Sequence, residues 1–342
     1  MSAHGHGGAT LLILVLALLT GCLHQGPESQ WTIHQETPAE SWDALFAAAA
    51  PEDLFDDAVQ RRLHGDLVGA ADRLLWLRLH GDDSPATLYQ LGVVYELDER
   101  FDDALGVYDL LLAELRDSEL SHDVRFRRGL TLEALGYPKA ALRDYHRIPS
   151  NRDWDRSDRY TLDLVKGAVL LTLDREREGR TLVLGALKAT EDTGEVPWAR
   201  GRALFALANH SLRQGSAIPL KGGQERLARQ IRLRLEAIER ADNYLVHVVK
   251  TQEPEWILAG LLALGDAWLA LHDDLAAAPV PRGLSRWQQE HYLQLLAQQL
   301  TRFRTRAWNV YDQGLGVSGT YQVENRYTGW LRQRRDGIVL AP

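Results

Sequence analysis

The feature that most constrains this chain is a helical apolar pattern that repeats at a fixed interval. From Ser41 onward, apolar residues recur at spacings of three and four, the period of an amphipathic α-helix, and an alternating β-strand pattern is almost absent. The segments 51–84 and 85–118 each span 34 residues and each begin with a proline. A repeat this short cannot bury its apolar face alone, so neighbouring copies must stack. The sequence therefore predicts an all-α fold of stacked helical hairpins.

The segment 85–118 carries the clearest form of the pattern. Seven positions on two successive helices hold large, small or aromatic side chains in a fixed order: Leu88, Leu91, Gly92, Tyr95, Ala104, Tyr108 and Leu111. Small residues at Gly92 and Ala104 let two antiparallel helices approach closely, and the tyrosines fill the space beside them. This order resembles the tetratricopeptide repeat (TPR). The resemblance implies helix pairs wound into a right-handed superhelical solenoid that binds other proteins.

The resemblance is strongest over 41–155, where we predict a TPR array with repeats at 51–84, 85–118 and 122–155. The third repeat departs from the pattern at Arg125 and Arg128, where apolar residues are usual. Weaker helical hairpins are predicted over 156–275, around Gly167, Ala208 and Gly260.

The last segment, 276–342, is predicted to be a helical cap, because a solenoid needs a polar cover on its final apolar face. Long helices are expected at Gln224–Lys250 and from Leu284 to about Gln313, with a shorter one from Thr320 to Arg335.

The N-terminus predicts export. Thr10 to Leu19 is an uncharged apolar run, too short to span a bilayer, which is typical of a signal peptide over 1–21. It ends in Leu19, Thr20, Gly21 and Cys22, a sequence that resembles the lipobox of bacterial lipoproteins. The resemblance implies lipidation of Cys22 and cleavage before it, and residues 22–40 would form a polar tether. A soluble secreted protein with a chance cysteine is the alternative, but Cys22 is the only cysteine in the chain.

A candidate partner-binding groove follows from the repeat register. In TPR proteins the fifth residue of each first helix faces the concave groove, and these positions are Phe55, Tyr89 and Phe126. Aromatic anchors inside a charged rim are typical of a surface that binds a peptide or a helix. The alternative is that the tether or a C-terminal helix covers this stripe. The remaining predicted groove residues lie one and two turns further along: Val59, Val93, Leu130, Arg62, Glu96 and Glu133.

Motifs for catalysis or cofactor binding are not predicted. Residues 314–319 match a glycine-rich nucleotide loop literally, but a helical pattern precedes them where a strand is required, which favours a turn between helices. The histidines, including His210, show no metal-ligand spacing. We therefore expect no enzyme activity, no metal site and no small-molecule cofactor.

Charge adds a further constraint on partners. The net charge of −8 argues against nucleic acid. Residues 51–118 hold 16 acidic against 6 basic residues, whereas 281–342 hold 9 arginines against 4 acidic residues. Such opposite charges can steer a partner or favour contacts between copies, although they are also common on solvated helix faces.

These observations predict a lipid-anchored scaffold that binds another envelope protein or a peptide segment. The expected location is the periplasmic face of the outer membrane. Two alternatives remain open: a structural part of a trans-envelope machine for gliding or secretion, and a helical enzyme that acts on an envelope polymer.

Overall fold

The computed structural model describes residues 39–115, 118–149, 155–191, 195–281 and 283–339, so the lipobox and almost all of the tether lie outside the described residues. Within these ranges the chain forms α-helices and no β-strand. The helices group into two compact units that divide between Trp154 and Asp155. We name the described residues 39–149 the N-terminal unit and 155–339 the C-terminal unit. The prediction of an all-α fold of stacked helical hairpins is confirmed.

The N-terminal unit contains three helical hairpins preceded by one short helix. Its helices are α1 (Ala39–Phe46), α2 (Pro51–Leu63), α3 (Leu67–Leu79), α4 (Pro85–Leu97), α5 (Phe101–Glu114), α6 (Glu119–Ala134) and α7 (Pro138–Arg147). The pairs α2/α3, α4/α5 and α6/α7 form the hairpins, and the second helix of each hairpin packs on the first helix of the next. Helix α1 packs against α3.

The local sequence explains where these helices begin and where the chain turns between them. Proline opens α2, α4 and α7, where its missing N–H is not needed. The Ser84 side chain caps α4 by accepting a hydrogen bond from the Thr87 N–H. Gly65 and Gly136 adopt φ angles of 82° and 81° in the tight turns inside their hairpins, a backbone conformation that favours glycine.

Glycine and tyrosine bring the two helices of a hairpin together. A Cβ atom added at Gly92 would lie 2.5 Å from Cε1 of Tyr108, and one added at Gly129 would lie within 2.3 Å of Cε1 of Tyr145. Both tyrosines are fully buried. The prediction that small residues mark the closest approach of the helices is therefore confirmed in these two hairpins.

The C-terminal unit also contains three hairpins, followed by one further helix. Its helices are α8 (Arg156–Thr172), α9 (Glu176–Ala189), α10 (Pro197–Ser216), α11 (Gln224–Val249), α12 (Pro254–Ala276), α13 (Arg286–Tyr321) and α14 (Arg326–Asp336). The pairs α8/α9, α10/α11 and α12/α13 form the hairpins, and α14 packs on α12 and α13. Of the two helices in the preceding hairpin, α10 packs mainly against α8 and only slightly against α9.

Helix α12 is the most apolar element of this unit. Among the described helices, it alone has the length and hydropathy to cross a membrane, but 61% of its apolar window is buried inside the protein. Packing by its neighbours α13, α11, α10 and α14 accounts for this apolar character. We therefore describe α12 as a core helix.

The predicted turn at residues 314–319 is wrong. These residues lie inside α13, which continues to Tyr321, and the last helix begins at Arg326. The glycine at 314 has a packing role, because a Cβ there would lie 2.8 Å from Cδ1 of Leu331 and 3.2 Å from the Cβ of Leu261. Close helix contact, not a chain reversal, is therefore the reason for Gly314.

The predicted cap, 276–342, begins at the last residue of α12 and so contains α13, the second helix of a hairpin, together with α14. Tyr311 of α13 lies against Gly265 of α12, where an added Cβ would be 2.2 Å from the tyrosine Cε1. The Tyr311 hydroxyl donates a hydrogen bond to the Asp266 carboxylate at 2.7 Å. Helix α13 thus repeats the glycine–tyrosine contact of the N-terminal unit, and α14 is the additional helix.

Candidate protein-binding face

The first helices of the three N-terminal hairpins, α2, α4 and α6, present one common face, which we name the first-helix face. Phe55, Tyr89 and Phe126 all lie on it and are all half-buried. One turn further, Val59 and Leu130 are half-buried. Val93 differs, since its neighbours bury it to 3% exposure. The structure thus places partly accessible aromatic rings at the three predicted anchor positions.

A hydrogen-bonded network crosses the centre of this face. The Tyr89 hydroxyl donates to the Asp123 carboxylate, and Nε of Arg127 donates to the Tyr89 oxygen at 2.8 Å. The Arg127 guanidinium also lies 3.4 Å from Oε1 of Glu96, whose other oxygen accepts a 2.8 Å hydrogen bond from the Tyr108 hydroxyl. The network therefore joins α4, α5 and α6.

Burial dominates the electrostatics of the network. It raises the pKa of Glu96 above the ordinary value, although Arg127 and Tyr108 act in the opposite direction. Burial also raises the pKa of Tyr108, and the nearby Glu96 charge adds to this effect. Because Glu96 is engaged with two partners inside the unit, it contributes to packing between helices more than to a free charged rim. The sequence alone predicted only the rim position.

The third repeat contains a matching but simpler arrangement. Phe126 lies 5.8 Å from the ring centre of Tyr145, and the Tyr145 hydroxyl donates to Oε1 of Glu133 at 2.7 Å. Leu130 and Glu133 are both half-buried beside this contact. Glu133 therefore has the same role as Glu96, accepting a hydrogen bond from the tyrosine of the second helix.

The departure at Arg128 from the repeat pattern has a structural explanation. Its guanidinium pairs with Asp144 of α7 at 2.5 Å and with Asp109 of α5 at 2.6 Å. Asp144 is only 3% exposed, so the pair replaces an apolar contact between helices. The signal was present in the sequence, because Asp144 occupies a repeat position that holds the apolar Val107 one repeat earlier.

The end of the face formed by α2 combines an aromatic floor with charge. Phe55 packs against the apolar cluster of Trp42, Phe46 and Leu54, and α1 contributes the first two of these. Arg62 is half-buried, and its Nε has no hydrogen-bond partner among the described residues. A cavity of about 440 Å³ opens beside Phe55, between the beginnings of α2 and α4.

Two exposed leucines on the same helices were not among the groove residues predicted from the sequence. Leu63 is 62% exposed at the end of α2, and Leu97 is 51% exposed at the end of α4. They occupy the same position in successive repeats, one residue after Arg62 and Glu96. Extending the predicted stripe by one residue would have found them.

No cluster in the described residues resembles a metal site, since no group of three His, Cys, Asp or Glu side chains could hold an ion. His210 is 4% exposed, and its Nε2 lies 3.3 Å from a Glu176 oxygen. His247 and His291 are exposed on their helices.

Comparisons with known proteins yielded structural likeness only. No protein-family profile matches the chain, and no curated protein matches it either. A tetratricopeptide repeat protein from Parabacteroides merdae ATCC 43184 aligns with a TM-score of 0.43 and 13% identity, covering 84% of this chain and 97% of that chain. A TPR repeats protein from Bacteroides fragilis NCTC 9343 aligns with a TM-score of 0.29 and 13% identity, covering 66% and 98%. The TPR-like character of this chain therefore rests on the helix pairs and glycine–tyrosine contacts described above.

Proposed function

We propose that this chain is a protein-interaction scaffold whose first-helix face binds a peptide or helical segment of a partner. The observation that carries the proposal is the set Phe55, Tyr89 and Phe126, three partly accessible aromatic residues in one register on α2, α4 and α6. Partly buried aromatic rings that neighbouring side chains hold in place are typical anchors of protein interfaces. Within the described part of the N-terminal unit, α1 packs on α3, and Tyr89 and Phe126 each keep part of their surface accessible.

The same proposal includes a lipid anchor at Cys22, carried by the lipobox sequence Leu19, Thr20 and Gly21. Several acyl chains on one residue would hold the chain stably at a membrane, since each buried methylene contributes about 0.8 kcal/mol. A location on the periplasmic side of a bacterial outer membrane fits this sequence. The partner would then be another envelope protein.

Site-specific photo-crosslinking tests the face directly. A benzoylphenylalanine placed at Phe126 in cells should crosslink to one protein, which mass spectrometry would identify. The control is the same residue at Leu110, which is 39% exposed on the second helix α5. Equal crosslinking patterns from both positions would contradict a specific binding face.

Substitutions complete the test. Tyr89→Ala combined with Phe126→Ala should abolish capture of the crosslinked partner, whereas Tyr89→Phe keeps the ring and should retain most of it. Membrane fractionation tests the anchor separately: Cys22→Ala should move the chain from the membrane to the soluble fraction. Unchanged capture by the double variant, or unchanged membrane association of Cys22→Ala, would refute the respective half of the proposal.

A further inference from the structure

The cavity beside Phe55 gives the first-helix face an acidic end. Its volume is about 440 Å³, and its lining includes three carboxylates and no basic side chain. The lining residues come from the beginning of α2, the turn before α4 and the first turn of α4: Pro51, Glu52, Phe55, Asp56, Asp82, Ser84, Ala86 and Thr87. This end of the face therefore concentrates negative charge around an aromatic ring.

One of the three carboxylates is explained by the fold. Asp82 accepts hydrogen bonds from Oγ1 of Thr87 at 2.6 Å and from the Ser84 N–H at 3.0 Å, which stabilises the turn before α4. The Thr87 hydrogen bond lowers the pKa of Asp82, so the carboxylate stays ionised at lower pH than an ordinary aspartate does. Asp82 thus has a structural role and still contributes a charge to the cavity.

Glu52 and Asp56 are not explained in this way. They lie four residues apart on α2, where like charges face each other and repel. The helix dipole favours Glu52 in the first turn, but this effect fades before Asp56. In the described residues neither takes part in an ion pair, whereas the neighbouring Asp57 pairs with Arg61 and Arg73.

From this arrangement, and on the basis of the function proposed above, we infer that the bound segment of the partner is cationic. A Lys or Arg side chain would enter the cavity, place its charge between Glu52 and Asp56, and pack its methylenes on Phe55. Apolar side chains of the same segment would follow along Tyr89 and Phe126. A cationic, amphipathic peptide is therefore the occupant that fits the first-helix face.

Charge complementarity argues against the tether as this occupant. Residues 22–40 contain Glu28, Glu36 and Glu40 and no Lys or Arg. A tether bound in the cavity would add carboxylates to an acidic site, and like charges destabilise such a contact. The cation must therefore come from another segment.

Selection from a random library of 12-residue peptides displayed on phage tests the inference with a defined probe. The full chain in detergent serves as bait, and the Tyr89→Ala, Phe126→Ala double variant serves as the counter-selection. Peptides specific to the wild type should be enriched in Lys or Arg together with apolar residues. Enrichment without Lys or Arg would overturn the cationic partner but leave the binding face intact. Failure to select any peptide that depends on Tyr89 and Phe126 would instead refute the proposed function.

The strongest selected peptide then allows a charge test. Glu52→Gln combined with Asp56→Asn should weaken its binding about fivefold to tenfold in fluorescence anisotropy, an effect that added salt should reduce. The matched control, Asp98→Asn combined with Asp102→Asn, removes two exposed charges outside the cavity and should leave affinity within about twofold. Equal weakening by both pairs would overturn the cavity as the cation site.

A second copy of the chain is the competing source of the cation, because residues 281–342 are rich in arginine. In sedimentation experiments, the wild type and the variant that combines Glu52→Gln with Asp56→Asn should show the same degree of self-association. Self-association of the wild type that this variant lacks would overturn a foreign partner in favour of contact between copies.

Discussion

Helices α6 and α8 hold the same register in the two units but differ in what they expose. On α6, three residues at set sequence positions relative to Gly129 are half-buried: Phe126 three before it, Leu130 one after it and Glu133 four after it. The corresponding residues around Gly167 of α8 are buried to 4% exposure or less: Leu164, Ala168 and Leu171. Register alone therefore does not decide whether this face is open.

The size of the neighbouring side chains accounts for the difference. Helix α10 presents Ala199, Ala203 and Ala206 within the cluster that contains Leu164 and Leu171. Small side chains let α10 approach α8 closely, which closes the face. In the N-terminal unit, aromatic residues occupy the first-helix face, and α2, α4 and α6 contact one another only slightly. An alanine-rich neighbour converts a potential binding face into core.

The largest expected effect contrasts two equivalent positions. Leu164→Ala should lower the free energy of unfolding by about 2–5 kcal/mol, because it leaves a cavity in a fully buried site. Phe126→Ala should lower it by no more than about 2 kcal/mol, because part of the ring already faces water. Urea denaturation measures both values. A loss at Phe126 as large as that at Leu164 would show that the two faces are equally closed.

The glycine–tyrosine contact gives the next effect. Gly92→Ala should destabilise the protein by about 1–3 kcal/mol, because its Cβ would lie 2.5 Å from the Tyr108 ring. The control is Gly106→Ala on α5, where an added Cβ meets nothing within 4 Å. That change should stabilise the helix by about 0.5–1 kcal/mol. If Gly92→Ala and Gly106→Ala shifted the unfolding temperature equally and in the same direction, the close approach of α4 and α5 at Gly92 would not explain the hairpin.

A buried carboxylate in the C-terminal unit should make the stability of the protein depend on pH. Asp242 on α11 is 5% exposed, its Oδ1 has no hydrogen-bond partner among the described residues, and burial, with help from Glu239, raises its pKa to about 6. An acid with a raised pKa contributes stability below its unfolded value, near 3.8, and that stability is lost as the pH rises through about 6.

Asp242→Asn should therefore stabilise the protein by about 1–3 kcal/mol at pH 7 and give little gain at pH 4. Thermal unfolding at several pH values measures this difference. Glu236→Gln, at an exposed position of the same helix, is the control and should change the free energy of unfolding by no more than about 0.5 kcal/mol. A gain from Asp242→Asn that is equal at both pH values would contradict the raised pKa.

The sequence predicted the repeated elements well and the exposure of their faces poorly. Helix periodicity, Gly92 and Tyr108 were sufficient for the hairpins, because close helix approach requires small residues at fixed spacing. Glycines at 314–319 suggested a turn, but Gly314 is small because it packs closely against Leu331. Leu331 lies 17 residues further along the chain, so the local sequence carries no signal of this contact. Likewise, the pairing of Glu96 with Arg127 depends on how hairpins stack.

The central claim is that the first-helix face is partly open on α6, whereas the equivalent face of α8 is closed. Maleimide labelling of Leu130→Cys and Ala168→Cys, each in a Cys22→Ser chain with no other thiol, compares these two equivalent positions. We expect the thiol at 130 to react at least about tenfold faster, because the thiol at 168 is reached only when α8 and α10 separate. Equal rates, or a slower reaction at 130, would contradict the account.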